Sequence, residues 1–352
     1  MQKQETPTAL DKIKATALAA HRKTIEAQAR PGETYQHAQS RHLRESDDRE
    51  IDKPAPKNLK TTLRKAPNND SQADFFIPTM WDVSTKDSRS LMDVAVFRLS
   101  KRDKRAGATI HHELSDGYVE VKAGPDGMAS IWDYDIVLMA ISHLAEAAKS
   151  FRSGRGEKPG RVFRPLISDV LKFCRRSDGG RQYEEIEAAL DRLKNTTLKF
   201  VRTRPGKGGR IVREADAEGL ISNYRTISYA ETGRLMSVEI ELPTWIYREV
   251  VDAKNPEVLT IDPAFFLIDS GVGRFLYRLA RRAAGRASAK WSFETVYGRS
   301  GSTGTLKKFT HSLRQIIAAN DLPEYVLSEE IGVSGPQLVM THRDAASATS
   351  EE

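Results

Sequence analysis

Pro165-Leu166-Ile167-Ser168-Asp169-Val170-Leu171-Lys172-Phe173-Cys174, a turn through Ser177-Asp178-Gly179-Gly180, the run 181–194 and then Thr197-Leu198-Lys199-Phe200-Val201-Arg202 decide the fold. Within 181–194, Tyr183, Ile186, Leu190 and Leu193 fall on one stripe at the helical period, so this segment is expected to be an amphipathic helix buried on one side. The strand after it runs into Pro205-Gly206-Lys207-Gly208-Gly209-Arg210, whose glycines and cations suit a flexible basic hairpin tip. Helix, turn, helix and β-hairpin in that order are the layout of a winged helix.

Upstream, Asp74-Phe75-Phe76-Ile77 marks the expected onset of order, and strands are expected at Val94-Ala95-Val96-Phe97 and Gly117-Tyr118-Val119-Glu120-Val121. Gly124-Pro125-Asp126-Gly127 reads as a turn. Asp133 then precedes a helix over 134–147 with Ile136, Val137, Ala140, Ile141 and Leu144 on one face. Residues 1–72 carry few large apolar side chains and are expected to be a mobile polar tail, with an alanine- and lysine-rich helix candidate over 9–29.

Downstream, strands are expected over 220–229 and 235–242 and a short helix over 243–251, closing a first domain that spans 73–255. A second domain, 256–343, repeats the plan without visible sequence repetition. It has a helix over 273–284, a short one near 293–297, the turn Gly298-Arg299-Ser300-Gly301-Ser302-Thr303-Gly304, a helix over 305–320, and strands at 325–328 and 337–341 as a second wing. Residues 344–352 are polar and expected to fray. The predicted class is therefore α+β, two tandem winged helices behind an N-terminal tail.

The chain has 352 residues, long enough for two domains plus tails, and its hydrophobic share of 39% suits a folded body with a solvated extension. A formal charge of +7 and a pI near 9.3 favour acidic polymers as partners, because clustered cations displace counterions from phosphate backbones. The single cysteine, Cys174, excludes an internal disulfide and any multi-thiolate zinc site and suits a reducing compartment. No run approaches the ~18 apolar residues of a membrane span, and the first residues lack the apolar core of a signal peptide. A soluble, cytoplasmic protein with no membrane partner is expected.

Over 305–320, Leu306, Phe309, Leu313, Ile316 and Ile317 form an apolar back, while Lys307, Lys308, His311, Arg314 and Gln315 project elsewhere, with Thr305 at the start. A groove-reading helix needs this division: Arg and Lys donate to guanine O6 and N7, and Gln pairs with adenine. A basic helix face is also, by itself, an ordinary solvated surface. The helix over 181–194 presents Glu184, Glu185 and Glu187 outward, which would repel phosphates, whereas the hairpin beside it carries Arg202, Arg204, Lys207 and Arg210. Phosphate contacts of that kind position a protein without reading sequence. Arg278, Arg281 and Arg282 are candidates for flanking phosphates, and ion pairs with neighbouring carboxylates are the competing role.

Enzymatic readings find less support. His111-His112-Glu113 resembles a metal cluster, but adjacent residues of a strand point to opposite faces. His311-Ser312-Leu313-Arg314 matches the His-x-x-Arg element of tyrosine recombinases without an upstream arginine and a downstream tyrosine to complete it. Gly206-Lys207-Gly208 lacks P-loop spacing. No catalytic residue, metal or cofactor is expected.

The run from Gly179-Gly180-Arg181-Gln182-Tyr183 through Ala189-Leu190-Asp191-Arg192-Leu193-Lys194-Asn195-Thr196-Thr197 resembles the helix-turn-helix block of the plasmid replication initiator protein A family. So do Leu276-Tyr277-Arg278-Leu279-Ala280-Arg281-Arg282 followed by Trp291, then Lys307-Lys308-Phe309 and Leu322-Pro323-Glu324-Tyr325. The similarity runs from about Asp74 to Arg343 in order and spacing. It implies a bacterial cytoplasmic protein with tandem winged helices that binds direct repeats in double-stranded plasmid origin DNA. It further implies opening of an adjacent A·T-rich stretch, recruitment of the host initiator and replicative helicase, and a homodimer in equilibrium with monomer that represses its own gene. The helix over 305–320 is the part of the family's machinery carried over. A repressor without a replication role, or a strand-nicking or recombining enzyme, are the alternative readings.

Overall fold

Strand β1 (Lys86–Ser88) is followed by the hairpin β2 (Thr109–Leu114) and β3 (Gly117–Lys122), and then by α1 (Tyr134–Arg152), in a computed structural model that describes residues 27, 61–66, 83–92, 94–114, 116–206, 210–333 and 335–349. The start of α1 is set by a reciprocal pair: Ser130 N donates to Asp133 Oδ2 (2.8 Å) and Asp133 N donates to Ser130 Oγ (3.2 Å), as in a capping box. Tyr134 through Ser142 are all buried, so α1 is a core helix, apolar nearly all round. The Asp74–Ile77 onset and all but residue 27 of the 9–29 helix candidate lie outside the described residues.

Strand β4 (Val162–Phe163), α2 (Ile167–Phe173) and α3 (Gly180–Asn195) follow, and the stripe predicted for α3 is buried as expected at Tyr183, Ile186, Leu190 and Leu193. Next come β5 (Thr197–Pro205), β6 (Ile211–Gly219), β7 (Asn223–Ser228), β8 (Leu235–Glu241), the short α4 (Thr244–Tyr247) that continues as a π turn, and β9 (Val258–Thr260). The later part holds α5 (Gly271–Ala283), β10 (Ser288–Ser292), α6 (Phe293–Ser300), α7 (Leu306–Ala319), β11 (Tyr325–Gly332), β12 (Gly335–His342) and α8 (Arg343–Thr349).

The described strands form antiparallel sheets in the orders β2-β3-β5-β6, β4-β8-β7 and β10-β12-β11, with β1 pairing β9. In the first sheet Val119 and Val121 face the core opposite Phe200 and Leu198, while Lys122 points to solvent, the alternation the sequence predicts. Gly117 is required where β3 crosses β5, since a Cβ there would stand 1.9 Å from Val201 O. The strand expected at 94–97 is not one. Val94, Ala95, Val96 and Phe97 are wholly buried in irregular backbone, so their apolar run reports burial and not pairing.

Elements before and after residue 255 share one hydrophobic core, in which Phe265, Phe266, Phe275 and Leu276 join Ile136, Leu138 and Ile141. Charged side chains cross the same boundary. Arg278 of α5, 0% exposed, donates from Nε to Asp87 Oδ2 (2.5 Å) on β1 and lies between the rings of Phe97 and Tyr134, whose hydroxyl donates to the other Asp87 oxygen (3.1 Å). One turn earlier Arg274 donates to Asp135 Oδ1 of α1 (2.6 Å) and to the Ile268 and Phe266 carbonyls (both 2.8 Å). Asp135 also accepts from Arg176 (3.2 Å). Burial and the Asp87 charge push the Tyr134 hydroxyl well above its ordinary pKa.

Asp87→Asn should leave the Arg278 charge buried against a neutral amide and lower the unfolding free energy by ~3 to 5 kcal/mol, measured in urea melts; a loss below ~1 kcal/mol would contradict this account of the pair. Cys174 is 1% exposed, and burial, reinforced by Asp135, pushes its thiol up to about 12. It should therefore ignore Ellman's reagent at pH 8 until the chain unfolds, a time course readable beside the loss of circular dichroism.

Candidate nucleic-acid interface

Helix α7 is held at both ends by its own sequence. Thr305 Oγ1 accepts from Lys308 N (3.3 Å), which makes Thr305 the N-cap of the helix, and Asn320 closes the other end in the left-handed conformation while its Oδ1 accepts from Leu327 N (2.9 Å) on β11. The turn ahead of it is stiffened by Gly301 at φ 56°, by Tyr297 Oη donating to Gly304 O (2.7 Å), and by the edge-on contact of Tyr297 with Phe309. A link also arrives from the first half of the chain, where Thr303 Oγ1 donates to Asp103 Oδ2 (3.0 Å) and Arg105 donates to Gly301 O.

Phe309, Leu313 and Ile316 are buried, and Lys307, Lys308, His311 and Gln315 are exposed along the opposite face. The expected front and back are thus both present. One member is misplaced: Arg314 is 4% exposed, and its Nε and Nη2 grip the Glu329 carboxylate of β11 (2.9 and 2.6 Å) over the Phe293 ring. It sits at the border of the apolar stripe, where the neighbouring strand supplies a carboxylate, and so it fastens the helix and presents nothing to a ligand. The β11–β12 hairpin that packs against α7 is not basic. Its arm carries Glu329 and Glu330, the latter bound to Lys290 (2.6 Å), and its exposed end carries Ile331 and Val333.

The β5–β6 hairpin holds the other candidate cations. Arg202, Arg204 and Arg210 are exposed, and Lys207 lies outside the described residues. Arg204 donates to Glu214 across the ladder, and this bond holds the arginine above and the carboxylate below their ordinary pKa values. Arg202 lies 3.9 Å from Asp116. Arg213, also exposed and passed over in the sequence, adds a cation on the facing strand and reaches the Tyr118 hydroxyl (3.3 Å). Its alternation with Val212 and Glu214 on a solvated strand was the available signal. Helix α3 beside this hairpin exposes Glu184, Glu185 and Glu187, as predicted.

The α5 arginines divide. Arg278 is withdrawn from any phosphate by complete burial against Asp87, which corrects its assignment as a surface cation. Arg281 is half-buried and donates to Thr260 O (2.6 Å), and Arg282 is half-buried. The stretch 273–280 is buried throughout, so Arg274 and Arg278 point into the protein, while Arg281 and Arg282 stay partly exposed. On β2, His111 is exposed beside Glu113 (2.8 Å) while His112 is buried near Ala95 O (3.0 Å), on opposite faces. Among the described residues no group of His, Cys, Asp and Glu is arranged to hold a metal, and no helix is long and apolar enough to cross a membrane.

The chain was compared with known proteins. A family model described as Replication initiator protein A matches residues 86–327. A relative from Wigglesworthia glossinidia brevipalpis named "Putative replication protein" is 30% identical over 257 residues, covering 72% of this chain and 88% of the relative. The crystal structure of domain 2 and domain 3 of RctB is similar in fold, with a TM-score of 0.53 at 12% identity, over 72% of this chain and 98% of that one. The family match spans every element from β1 to the start of β11, including the buried arginine clamp and the whole of α7, and the chain therefore belongs to the Replication initiator protein A family of plasmid replication initiators.

Proposed function

We propose that this replication initiator binds repeated sites in its double-stranded plasmid origin, with α7 laid in the major groove and the β5–β6 hairpin on the phosphate backbone. The observation that carries the reading is the exposed row Lys307, Lys308, His311 and Gln315 on a helix whose opposite side is anchored in the core. The succession α5, β10, α6, α7 and the β11–β12 hairpin on a three-stranded sheet has the order of a winged helix, and α2, α3 and the β5–β6 hairpin have it again. The two units divide the work: α3 turns carboxylates outward and is unsuited to a groove, so the first unit grips backbone or meets a second protomer.

In this reading the protein is cytoplasmic and performs no bond chemistry. Several protomers on phased repeats bend the DNA, and the deformation cost of ~1 to 6 kcal/mol is offset by added phosphate contacts, which favours opening of a neighbouring stretch. The host initiator and helicase are then recruited to the opened DNA, and the same protein, as a dimer, represses its own gene.

Lys308→Ala and Gln315→Ala should each weaken binding to the origin repeats by ~1 to 3 kcal/mol, whereas Arg210→Gln should weaken all DNA about equally and flatten the salt dependence. Footprinting and salt titration on the DNA adjoining the gene measure both, and unchanged binding in all three variants would end the reading. Supercoiled origin DNA incubated with the protein and a divalent metal should stay unrelaxed and free of covalent adduct; cleavage would establish an enzyme instead.

A further inference from the structure

Away from α7, a cleft of about 580 Å³ opens where the start of α1, the start of α3 and the start of α5 converge. Seven basic side chains line it against three carboxylates. Asp135, just behind the wall, is a fourth, so the neighbourhood holds three more positive charges than negative ones. One carboxylate is shared. Asp135 serves both Arg274 and Arg176, at 2.6 and 3.2 Å. Asp133 is held bidentately by Arg192 (2.8 and 2.9 Å), while Arg98 beside it gives its described hydrogen bonds to the carbonyls of Met128, Ser100 and Lys101.

Gathering guanidiniums in a partly buried space is costly unless an anion balances them. Burial, with a smaller contribution from neighbouring cations, lowers the pKa of Arg98 and Arg274, while the carboxylates of Asp135 and Asp133 hold Arg176 and Arg192 above their ordinary values. At the mouth Lys101 and Arg181 are largely exposed (58% and 86%), in surface ion pairs with Asp269 and Glu185, and both are free to swing onto an entering ligand. Trp132 forms an apolar wall below Lys101. The size falls within that of small-ligand pockets, which run to roughly 300–1,000 Å³.

From the shared Asp135, the excess of guanidiniums and the enclosed volume, we propose that this cleft binds a small ligand bearing several phosphates, a nucleoside triphosphate or an inorganic polyphosphate. Arg176 lines the floor at 14% side-chain exposure, open to a ligand that enters the cleft and not to the convex backbone of a duplex, and Arg274 at 2% adds its charge from behind it. Planar guanidiniums suit phosphate oxygens better than any other basic side chain. Binding alone is proposed, with no bond made or broken. The ligand would touch elements from both halves of the chain and stabilise their joint by mass action.

The test is calorimetric titration of the full chain, without duplex DNA, using inorganic triphosphate, ATP and a short oligothymidylate in turn. Wild type should bind triphosphate and ATP saturably at one site. Lys101→Gln with Arg181→Gln, both solvent-exposed and expected to leave the melting temperature unchanged, should weaken each by roughly tenfold or more. Lys308→Ala should leave this binding as it was. Absence of saturable heat with both small anions, equal affinity in the double variant, or binding of the oligothymidylate alone would overturn the proposal. None of those results bears on origin binding, which is measured with other residues and another ligand.

Discussion

Two arginines of one helix, each closed on an aspartate far earlier in the chain, tie the elements before and after residue 255 together. Arg274 and Arg278 stand one turn apart on α5, meeting Asp135 and Asp87, and with them the core runs unbroken across residue 255. Pairs so deeply buried gain little over well-packed apolar groups, since the Coulomb attraction is spent against desolvation. What they confer is intolerance of misplacement: a shift of α5 by one residue would strand two charges in an apolar interior. Helix α5 is thereby held in one register against β1 and α1.

Much of this was legible beforehand. The long helices α1, α3 and α7 were readable because their apolar stripes are continuous, and β5 and β11 because turns bound them. Strands β1, β4, β9 and β10 were not, being two to five residues long with no room for a period to declare itself. Sequence alone assigns Arg278 to phosphate, with an ion pair as the competing role, for a physical reason: a charged residue on a helix is ordinarily solvated, and nothing local reveals an aspartate nearly two hundred residues away. A signal did exist. Phe275, Leu276, Tyr277, Leu279 and Ala280 leave α5 no polar face, so Arg274 and Arg278 had nowhere to go but inward.

The charge on the surface is likewise less free than its total suggests. Arg204, Arg161, Arg164 and Arg248 all close on carboxylates of strand residues. Such exposed pairs add little stability and loosen in salt, yet they lower the field a distant polyanion feels. The exposed cations of α7 stand on a helix whose own residues include no acidic side chain.

The clasp between Arg314 and Glu329 fixes the vocabulary of α7. With its one guanidinium turned inward, the outer face offers ammonium, imidazole, hydroxyl and carboxamide groups and no guanidinium. An ammonium on a flexible stem is a point charge that settles wherever negative potential is deepest, whereas a guanidinium is a planar fork that demands two acceptors in register. Whatever surface this helix meets, Gln315 is its one planar amide, and directional discrimination narrows to the last turns of the helix while the first turn supplies attraction without grammar.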